Sequence, residues 1–374
     1  MIRTVYRKIR RYVPTAAFWT FVLTLVAFVI HMIAKNNRAF ADFMNFNVNH
    51  VFRGLLAHLT GWIPFSLAEG LLLGIPVIAA VILYFGIRIA KKSWRYVIRY
   101  VTGLLAIVCY FYISFVFTYG LGYVTTPVED VLGFDRQDVS AVELGNTAIV
   151  LTNEINALVS YVDFAYEGSS YMPYSLNEMC EKLCDAYESF CEKAYYVHTF
   201  NSRVKPIVMS EPLTYTHLSG IYSYMTGESN LNVNYPDYIQ PYTAAHEMAH
   251  QRGFAREDEA NFVAFLVCME TEDPYIRYSC MMEIYAYIMN ALYQADPDMY
   301  YYVSSGLHPK ALSEKAAYGA FFKKYEDAPA ATVTDQINDA YLQIQGTPGV
   351  KSYGMVVDLV VAYFRAINWG VPVE

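Results

Sequence analysis

Three long apolar segments in the first 125 residues constrain the fold of this chain more than any other feature. They cover about residues 14–34, 63–90 and 96–119. Crossing a bilayer takes ~20 apolar residues in a helix, so each segment is predicted to be a transmembrane helix. No small-residue cleavage site follows the first segment; Lys35 and Arg38 come instead. The first segment is therefore predicted to be a membrane anchor rather than a signal peptide.

Charge divides the chain into two parts. Residues 1–125 contain 13 Lys and Arg against two Asp and Glu, whereas the remaining residues contain 14 against 33. Such an asymmetry indicates two physical environments. We therefore predict a transmembrane domain at residues 1–125 and one sizeable globular domain at residues 126–374. The acidic part contains no basic patch, which argues against a nucleic acid as partner.

The basic residues also orient the three segments. Five precede the first segment and five lie at residues 88–99, around the junction of the second and third, whereas the loop between the first and second has only three. Because cytoplasmic loops carry the excess of Lys and Arg, the N-terminus is predicted to be cytoplasmic. Three crossings then place the acidic domain outside the cytoplasm of a multi-pass cell-membrane protein. Residues 48–59 are interpreted as an amphipathic helix on the outer surface.

A pair of histidines in the acidic part suggests a metal site. His246 and His250 belong to an H-E-x-x-H motif whose Ala, Met and Gln neighbours favour a helix. Residues four apart share one face of a helix, so both imidazoles can reach one metal ion. Glu247 would be placed to take a proton from a water molecule that the metal activates. This is the arrangement of zinc hydrolases, with the carboxylate as general base.

A catalytic zinc site needs a third protein ligand and one open position. Gly253 is predicted to end the motif helix, and an acidic segment followed by an apolar run predicts a second helix folded back on the first. Glu257 and Asn261 share a face of that second helix. Glu257 is therefore the preferred third ligand, with Asn261 in the second shell to orient a ligand. Glu259 points elsewhere on an ideal helix and ranks second.

The block at residues 243–266, with HEMAHQRGFAREDEANF at its centre, resembles the signature of an uncharacterised family of bacterial multi-pass membrane proteins. That family is grouped with the zincin-type metallopeptidases. The step from Glu257 to Asn261, E-x-x-A-N, is similar to the E-x-x-A-D step of membrane-bound gluzincins. One departure is Asn261, which stands where many gluzincins have Asp; it can still accept a hydrogen bond but carries no charge.

The resemblance implies a specific set of site residues. These are His246, His250 and Glu257 as ligands of one Zn²⁺ per chain and Glu247 as the general base. A second departure is that the third ligand follows His250 by only seven residues, whereas many gluzincins place it much further on. The choice between Glu257 and Glu259 therefore stays open at this stage.

A peptidase also needs a group that stabilises the oxyanion beyond the metal. Tyr278 and Arg277 are the preferred candidates, because they lie on the helix predicted after the ligand helix and could fold over the site. Tyr222, Tyr224 and His217 are weaker candidates.

The remaining acidic part shows a mixed pattern. Helices are predicted at about residues 145–166 and 175–198, a short strand at 205–209 and a strand pair with a Gly-containing turn at 220–234. Everything from residue 274 onward is predicted to be helical, with breaks before four prolines. Cys180, Cys184 and Cys191 have helical spacing and are interpreted as an apolar stripe. Whether the five Cys outside the membrane segments form disulfides is left open.

The sequence therefore predicts a mainly α membrane protein. Three N-terminal transmembrane helices precede an extracytoplasmic α+β zincin-like domain, mostly helical with a small sheet before the motif helix. The predicted function is a membrane-anchored zinc peptidase that acts on an extracytoplasmic or membrane protein substrate, with Glu247 as the base. The alternative is a non-enzymatic membrane sensor or assembly factor with a structural zinc site. The predicted partners are the lipid bilayer and a protein or peptide substrate.

Overall fold

The computed structural model describes residues 10–195 and 199–370, and it is mostly helical with one small sheet. Its α-helices are α1 Thr15–Asn36, α2 Arg38–Phe43, α3 His50–Gly61, α4 Leu67–Ala90, α5 Trp94–Thr118, α6 Val128–Leu132, α7 Ala141–Leu158, α8 Leu176–Tyr195, α9 Ser210–Thr214, α10 Ile239–Arg252, α11 Glu257–Glu270, α12 Pro274–Ala295, α13 Pro297–Ser305, α14 Pro309–Phe322, α15 Pro329–Ile344 and α16 Val356–Ala366. Its strands are β1 Lys205–Pro206, β2 Gly220–Ser223 and β3 Glu228–Leu231. A π-helical turn, Met44–Asn49, precedes α3, and a 3₁₀-helix, Gly349–Met355, precedes α16.

The three predicted apolar helices are confirmed. Helices α1, α4 and α5 are long and apolar enough to cross a membrane, and α4 has no buried residue. Apolar helix surfaces of this length that stay uncovered by the rest of the chain need a lipid environment. These helices therefore indicate a membrane protein.

Helix α10, which carries the H-E-x-x-H motif, is buried along its whole length. Polar side chains can be buried at low cost only when they are hydrogen-bonded. Gln251 donates to Gly227 O at 2.6 Å, and the Arg252 guanidinium lies 4.1 Å from the centre of the Tyr187 ring and donates to Phe200 O. Hydrogen bonds from Gln251 and Arg252 to backbone carbonyls thus connect the end of α10 to the surrounding fold.

The sheet lies directly against the motif helix. Its order is β1-β3-β2, with β3 antiparallel to β2 and parallel to β1. The Ser229 hydroxyl of the central strand donates to Glu247 O at 2.9 Å. Gly227 has φ +70, in the left-handed region that favours glycine, and closes the turn between β2 and β3. The predicted strand pair before the motif helix is therefore confirmed.

A buried arginine joins the membrane-proximal helices to the end of α10. Arg53 is fully buried in α3 and donates to Asn45 O at 2.7 Å, to Arg252 O at 3.0 Å and to Thr118 O at 3.3 Å. Asn45 in turn donates to Gly253 O. The last carbonyls of a helix lack partners and carry the negative end of its dipole, so a guanidinium suits this position. The predicted helix at 48–59 is present, with its single Arg buried against the domain.

A second contact joins the sheet to the start of α4. Lys205 and Glu228 form a buried ion pair, and the Glu228 carboxylate also accepts from the N–H groups of Leu67 and Ala68. Glu69, in the first turn of α4, accepts from the N–H groups at residues 208 and 209. Carboxylates are favourable at a helix N-terminus. The N-terminal helices therefore contact the rest of the chain at two places: the end of α10 and the sheet beside it.

Other predicted elements differ at their boundaries. Helix α7 begins earlier than residue 145, because Ser140 and Glu143 form a reciprocal capping box. The strand predicted at 205–209 is only two residues long. The predicted end of α8 at His198 lies outside the described residues. Helices α13, α14 and α15 each begin at a proline, which confirms three of the proline breaks; the fourth, at Pro348, falls directly before the 3₁₀-helix. All six cysteines are free thiols.

Candidate metal centre

His246, His250 and Glu257 converge on one point. The Nε2 atoms of His246 and His250 each lie 3.3 Å from Glu257 Oε2, and the three candidate ligand atoms lie within 4.8 Å of one another. The αL residue Gly253, φ +105, ends α10 and lets the chain turn back into α11. All three side chains are buried. The fold thus brings together the three side chains that the sequence predicts as ligands, and Glu259 is not among the residues of this cluster.

The tautomer of His250 suits metal binding through Nε2. Its Nδ1 atom lies 2.8 Å from Phe254 O, and a carbonyl can only accept, so Nδ1 carries the proton. The Tyr119 hydroxyl lies 3.2 Å from the same Nδ1 and donates to Ala255 O at 3.3 Å. Contacts of this kind fix the orientation of metal-binding imidazoles. They leave Nε2 of His250 facing Glu257, 3.3 Å from its Oε2 atom.

The charge and burial of the triad favour a bound cation. Burial would raise the pKa of Glu257, but the charge of His250 and the contact with His246 lower it below its ordinary value. Burial would lower the pKa of His250, but Glu257 opposes this effect and the pKa rises to about 9. The buried Oε2 atom of Glu257 has no well-aligned hydrogen bond within the described part of the chain. A proton or a metal ion between these groups satisfies all of them.

Glu247 lies between the motif helix and the edge strand β2. A Cβ atom at Gly220 would lie 2.6 Å from Glu247 Oε1, and the backbone N–H of Tyr222 donates to the Glu247 carboxylate. Burial raises the pKa of Glu247, and the two histidines only partly offset this rise. The carboxylate is therefore held beside the triad in an environment that favours its protonated form more than water does.

Two residues of α11 have roles other than metal binding. Glu259 accepts from Val128 N at 2.8 Å and pairs with Arg256, so it supports the start of α6. Asn261 accepts from the Tyr242 hydroxyl at 3.4 Å and donates to Tyr353 O at 3.4 Å. Within the described residues no hydrogen bond of Asn261 reaches a triad residue. The prediction that Asn261 orients a ligand is thus corrected: it supports the tyrosines around the site.

The contacts of Tyr278 and Arg277 are made with residues outside the triad, and their role as oxyanion stabilisers stays a prediction. The Tyr278 hydroxyl donates to Glu314 at 3.0 Å inside the core, and Arg277 pairs with Glu154 at 3.7 Å. Successive residues of a helix point about 100° apart. The face of α12 that approaches α10 contains Ser279, which accepts from Tyr242 N, and this face excludes both candidates.

A cluster of tyrosines, of which the sequence singled out only Tyr222 and Tyr224, lines the site. We call it the tyrosine wall, and it consists of Tyr119, Tyr123, Tyr222, Tyr224, Tyr341 and Tyr353. Burial and the nearby carboxylates of Glu257 and Glu247 raise the pKa of Tyr353. Its oxygen accepts a hydrogen bond from Asn338 at 3.2 Å, which leaves its own O–H free to donate. Of the weaker predicted candidates, Tyr222 lies at the site, whereas His217 binds Tyr325 O.

Comparison with known proteins identifies a family but no activity. The model of the family described as "Protein of unknown function (DUF3810)" matches residues 45–361. The matched region begins before α3 and includes the sheet, both motif helices and the tyrosine wall. No curated protein and no solved structure matches the chain.

Proposed function

Since this chain belongs to the DUF3810 family, we propose from its own residues that it is a membrane-anchored, zinc-dependent peptidase. The observation that carries the proposal is the convergence of His246, His250 and Glu257 on one point, with Glu247 beside them. The substrate class is an extracytoplasmic or membrane protein, because the site belongs to the acidic part of the chain, which the distribution of basic residues assigns to the outside.

The donor set fits zinc. Two imidazoles and one carboxylate are common zinc ligands, and three protein ligands with a fourth position open are typical of catalytic rather than structural sites. His246, His250 and Glu257 would hold the ion. When bound, zinc would supply Lewis acidity that polarises the scissile carbonyl and lowers the pKa of water.

Glu247 would move the protons. Its carboxylate takes a proton from the water molecule that attacks the carbonyl carbon, and it returns that proton to the nitrogen of the leaving amine as the C–N bond breaks. A general base works best when its pKa lies near the working pH, and burial moves the pKa of Glu247 in that direction. The N–H of Tyr222 orients the carboxylate.

The edge of β2 would bind the substrate backbone. Ser219 O accepts from Asn232 N, so by the alternation of antiparallel pairs the backbone groups of Gly220 and Tyr222 point away from β3. Among the described strands, β2 is an edge strand of the sheet. An extended peptide can add to such an edge, and there it would run directly past Glu247.

The Tyr353 hydroxyl takes the role first expected of Tyr278 or Arg277. It is free to donate and lies near both Glu247 and Glu257. A donor preset toward developing negative charge stabilises the transition state. The alternative, a structural zinc site in a sensor, gives no role to Glu247, since a structural site prefers four protein ligands and needs no base.

The decisive experiment replaces Glu247 by Gln. The full chain in detergent is loaded with zinc and incubated with a mixture of synthetic peptides of defined sequence, whose fragments are identified by mass spectrometry. Glu247→Gln should keep its zinc and its unfolding temperature while turnover falls by a factor on the order of 100 to 10,000. The matched control Glu326→Gln changes an exposed carboxylate and should keep the native rate. Equal cleavage by native chain and Glu247→Gln would refute the peptidase.

A further inference from the structure

The candidate metal centre lies directly beside the end of an apolar helix. Helix α5 ends at Thr118, and the hydroxyl of the next residue, Tyr119, lies 3.2 Å from Nδ1 of the proposed ligand His250. The backbone that follows α5 packs tightly against the end of α10, since a Cβ atom at Gly122 would clash with Gly253 O. One tyrosine side chain therefore covers the whole distance between α5 and the metal centre.

The apolar part of α5 ends at the same place. Crossing the hydrocarbon core of a bilayer takes ~20 helical residues. Arg99 is the last charged residue of α5, and residues 100–119 contain no charge. A bilayer that surrounds α5 therefore has one surface near Arg99 and the other near Tyr119, beside His250.

The neighbouring apolar helix α1 ends at this level too. Arg99 of α5 donates to Arg10 O, directly before α1, and further along the two helices His31 Nδ1 lies 3.1 Å from the Tyr112 hydroxyl. Helices α1 and α5 therefore run side by side in the same direction. Lys35, the first charge after His31, lies one turn beyond it and is level with the last turn of α5. Both helices thus place the bilayer surface beside the metal centre.

Helix α3 marks the same surface. Asn49, directly before α3, donates to Val116 O at 2.9 Å, and Arg53 donates to Thr118 O at 3.3 Å, so α3 lies beside the last turn of α5. The large apolar side chains that the chain leaves exposed here are Val51, Phe52, Leu55, Leu59 and Trp62. Amphipathic helices lie in the bilayer interface with such a face toward the lipid, and Trp is enriched at this depth.

The edge strand β2 leads from this surface to the proposed base. Thr118 Oγ1 donates to Tyr224 O at 3.1 Å, so the C-terminal end of β2 lies against the last residue of α5. At the other end of β2, a Cβ atom at Gly220 would lie 2.6 Å from Glu247 Oε1. Four residues of a strand extend ~13 Å. A peptide paired with β2 would therefore pass from the bilayer surface to Glu247 within about four residues.

We propose that the substrate is a membrane-anchored protein, cleaved within about four residues of the end of its own transmembrane segment. This inference rests on the proposed peptidase function and narrows the substrate class of the same site. The anchor of the substrate stays in the bilayer, and the residues directly outside the bilayer are the ones that reach β2. The chemical step is the hydrolysis of a C–N bond by water with Glu247 as base, as proposed above.

Anchored model peptides test this placement. Each contains an apolar transmembrane segment of ~20 residues, a proline spacer and a short segment of randomised sequence. The spacer is absent or has about 12 residues, and because a polyproline helix rises ~3.1 Å per residue, the long spacer holds the randomised segment up to ~37 Å from the bilayer. Peptides and the zinc-loaded full chain are placed together in phosphatidylcholine nanodiscs, and the fragments are quantified by mass spectrometry. The randomised segment without an anchor forms a third arm.

The peptide without a spacer should be cleaved at least ~10-fold faster than the peptide with the long spacer, because a stiff spacer that cannot return to the site lowers the effective concentration of the cleavable segment. Glu247→Gln should cleave neither. Equal or faster cleavage with the long spacer overturns the proposed placement and leaves the peptidase standing. Absence of zinc-dependent cleavage in all three arms overturns the proposed peptidase, and this inference with it.

The level of the bilayer is tested without turnover. A nitrobenzoxadiazole label is attached at Leu55→Cys on the exposed face of α3, or at Tyr302→Cys on α13, which packs on α7 and α12. The native chain, treated in the same way, gives the background from its own cysteines. In nanodiscs, spin-labelled lipids should quench the label at Leu55→Cys at least two-fold more than the label at Tyr302→Cys. Equal quenching at the two positions overturns the bilayer level on which the proposal depends, whatever the peptides show.

Discussion

Replacing Gly220 by Ala should disable the site without removing its metal. The added Cβ atom would lie 2.6 Å from Glu247 Oε1, 2.7 Å from Glu247 Cγ and 2.8 Å from Thr243 Cγ2. Ordinary contacts begin near 3.4 Å, so either β2 or the base has to move by about 0.8 Å. Gly220 is therefore needed for close approach rather than for an unusual backbone conformation.

The size of the effect follows from this displacement. A misplacement of about 1 Å in an active site can reduce the rate on the order of 100-fold, which corresponds to ~2.7 kcal/mol of transition-state stabilisation. Overpacking should also lower the free energy of unfolding by about 1–3 kcal/mol. The atoms nearest to the new methyl group belong to Glu247 and Thr243 rather than to His246, His250 or Glu257, so zinc content should stay native.

Peptide cleavage, zinc content and thermal unfolding of Gly220→Ala are measured side by side. Gly319→Ala is the control, because its Cβ atom would meet nothing within 4 Å. Native turnover in Gly220→Ala would refute the placement of Glu247 against β2. Loss of zinc in the variant would also contradict this placement, since moving Glu247 should leave the three metal ligands where they are.

Three further outcomes are expected. Glu259→Gln should keep native zinc content, but its free energy of unfolding should fall by about 1–3 kcal/mol, because Glu259 binds Val128 N and Arg256. Loss of zinc from this variant would instead indicate that Glu259 is the third ligand. His250, with its pKa raised to about 9, is protonated at pH 7.5 in the metal-free chain, so zinc binding should release about one proton and tighten as the pH rises toward 9; calorimetry in buffers of different ionisation enthalpy that detects no proton release would contradict this. Reporter fusions at residue 93 and at the C-terminus should report the cytoplasm and the outside, respectively, and agreement between them would refute the three-span topology.

The motif helices could be predicted because their signals are local. The spacing of His246 and His250 and the position of Gly253 define the face and the end of α10 within a few residues. The predicted turn into α11 follows from the same stretch. Helix geometry favoured Glu257 over Glu259, and Glu257 is the carboxylate that lies with the two histidines.

The rest of the site is set by contacts that no local pattern encodes. The charge of Glu257 raises the pKa of Tyr353, which lies almost 100 residues further along the chain. Tyr278 and Arg277 lie on the predicted helix, but their contacts with Glu314 and Glu154 are on other faces than Ser279, which meets α10. Sequence alone does not show which face of a largely buried helix meets its neighbour. The predicted strand at 205–209 is shortened where Glu69, at the start of α4, takes the N–H groups of Val208 and Met209.

Elemental analysis of the purified chain tests the central claim most directly. Native protein prepared without added metal, and again after zinc addition and dialysis, should contain about one zinc per chain. Glu257→Ala should contain little zinc under both conditions, because its two imidazoles lack the third ligand, while Glu326→Ala should match the native chain. Absence of zinc from the native chain after zinc addition, its replacement by iron, or equal zinc in Glu257→Ala would contradict the account.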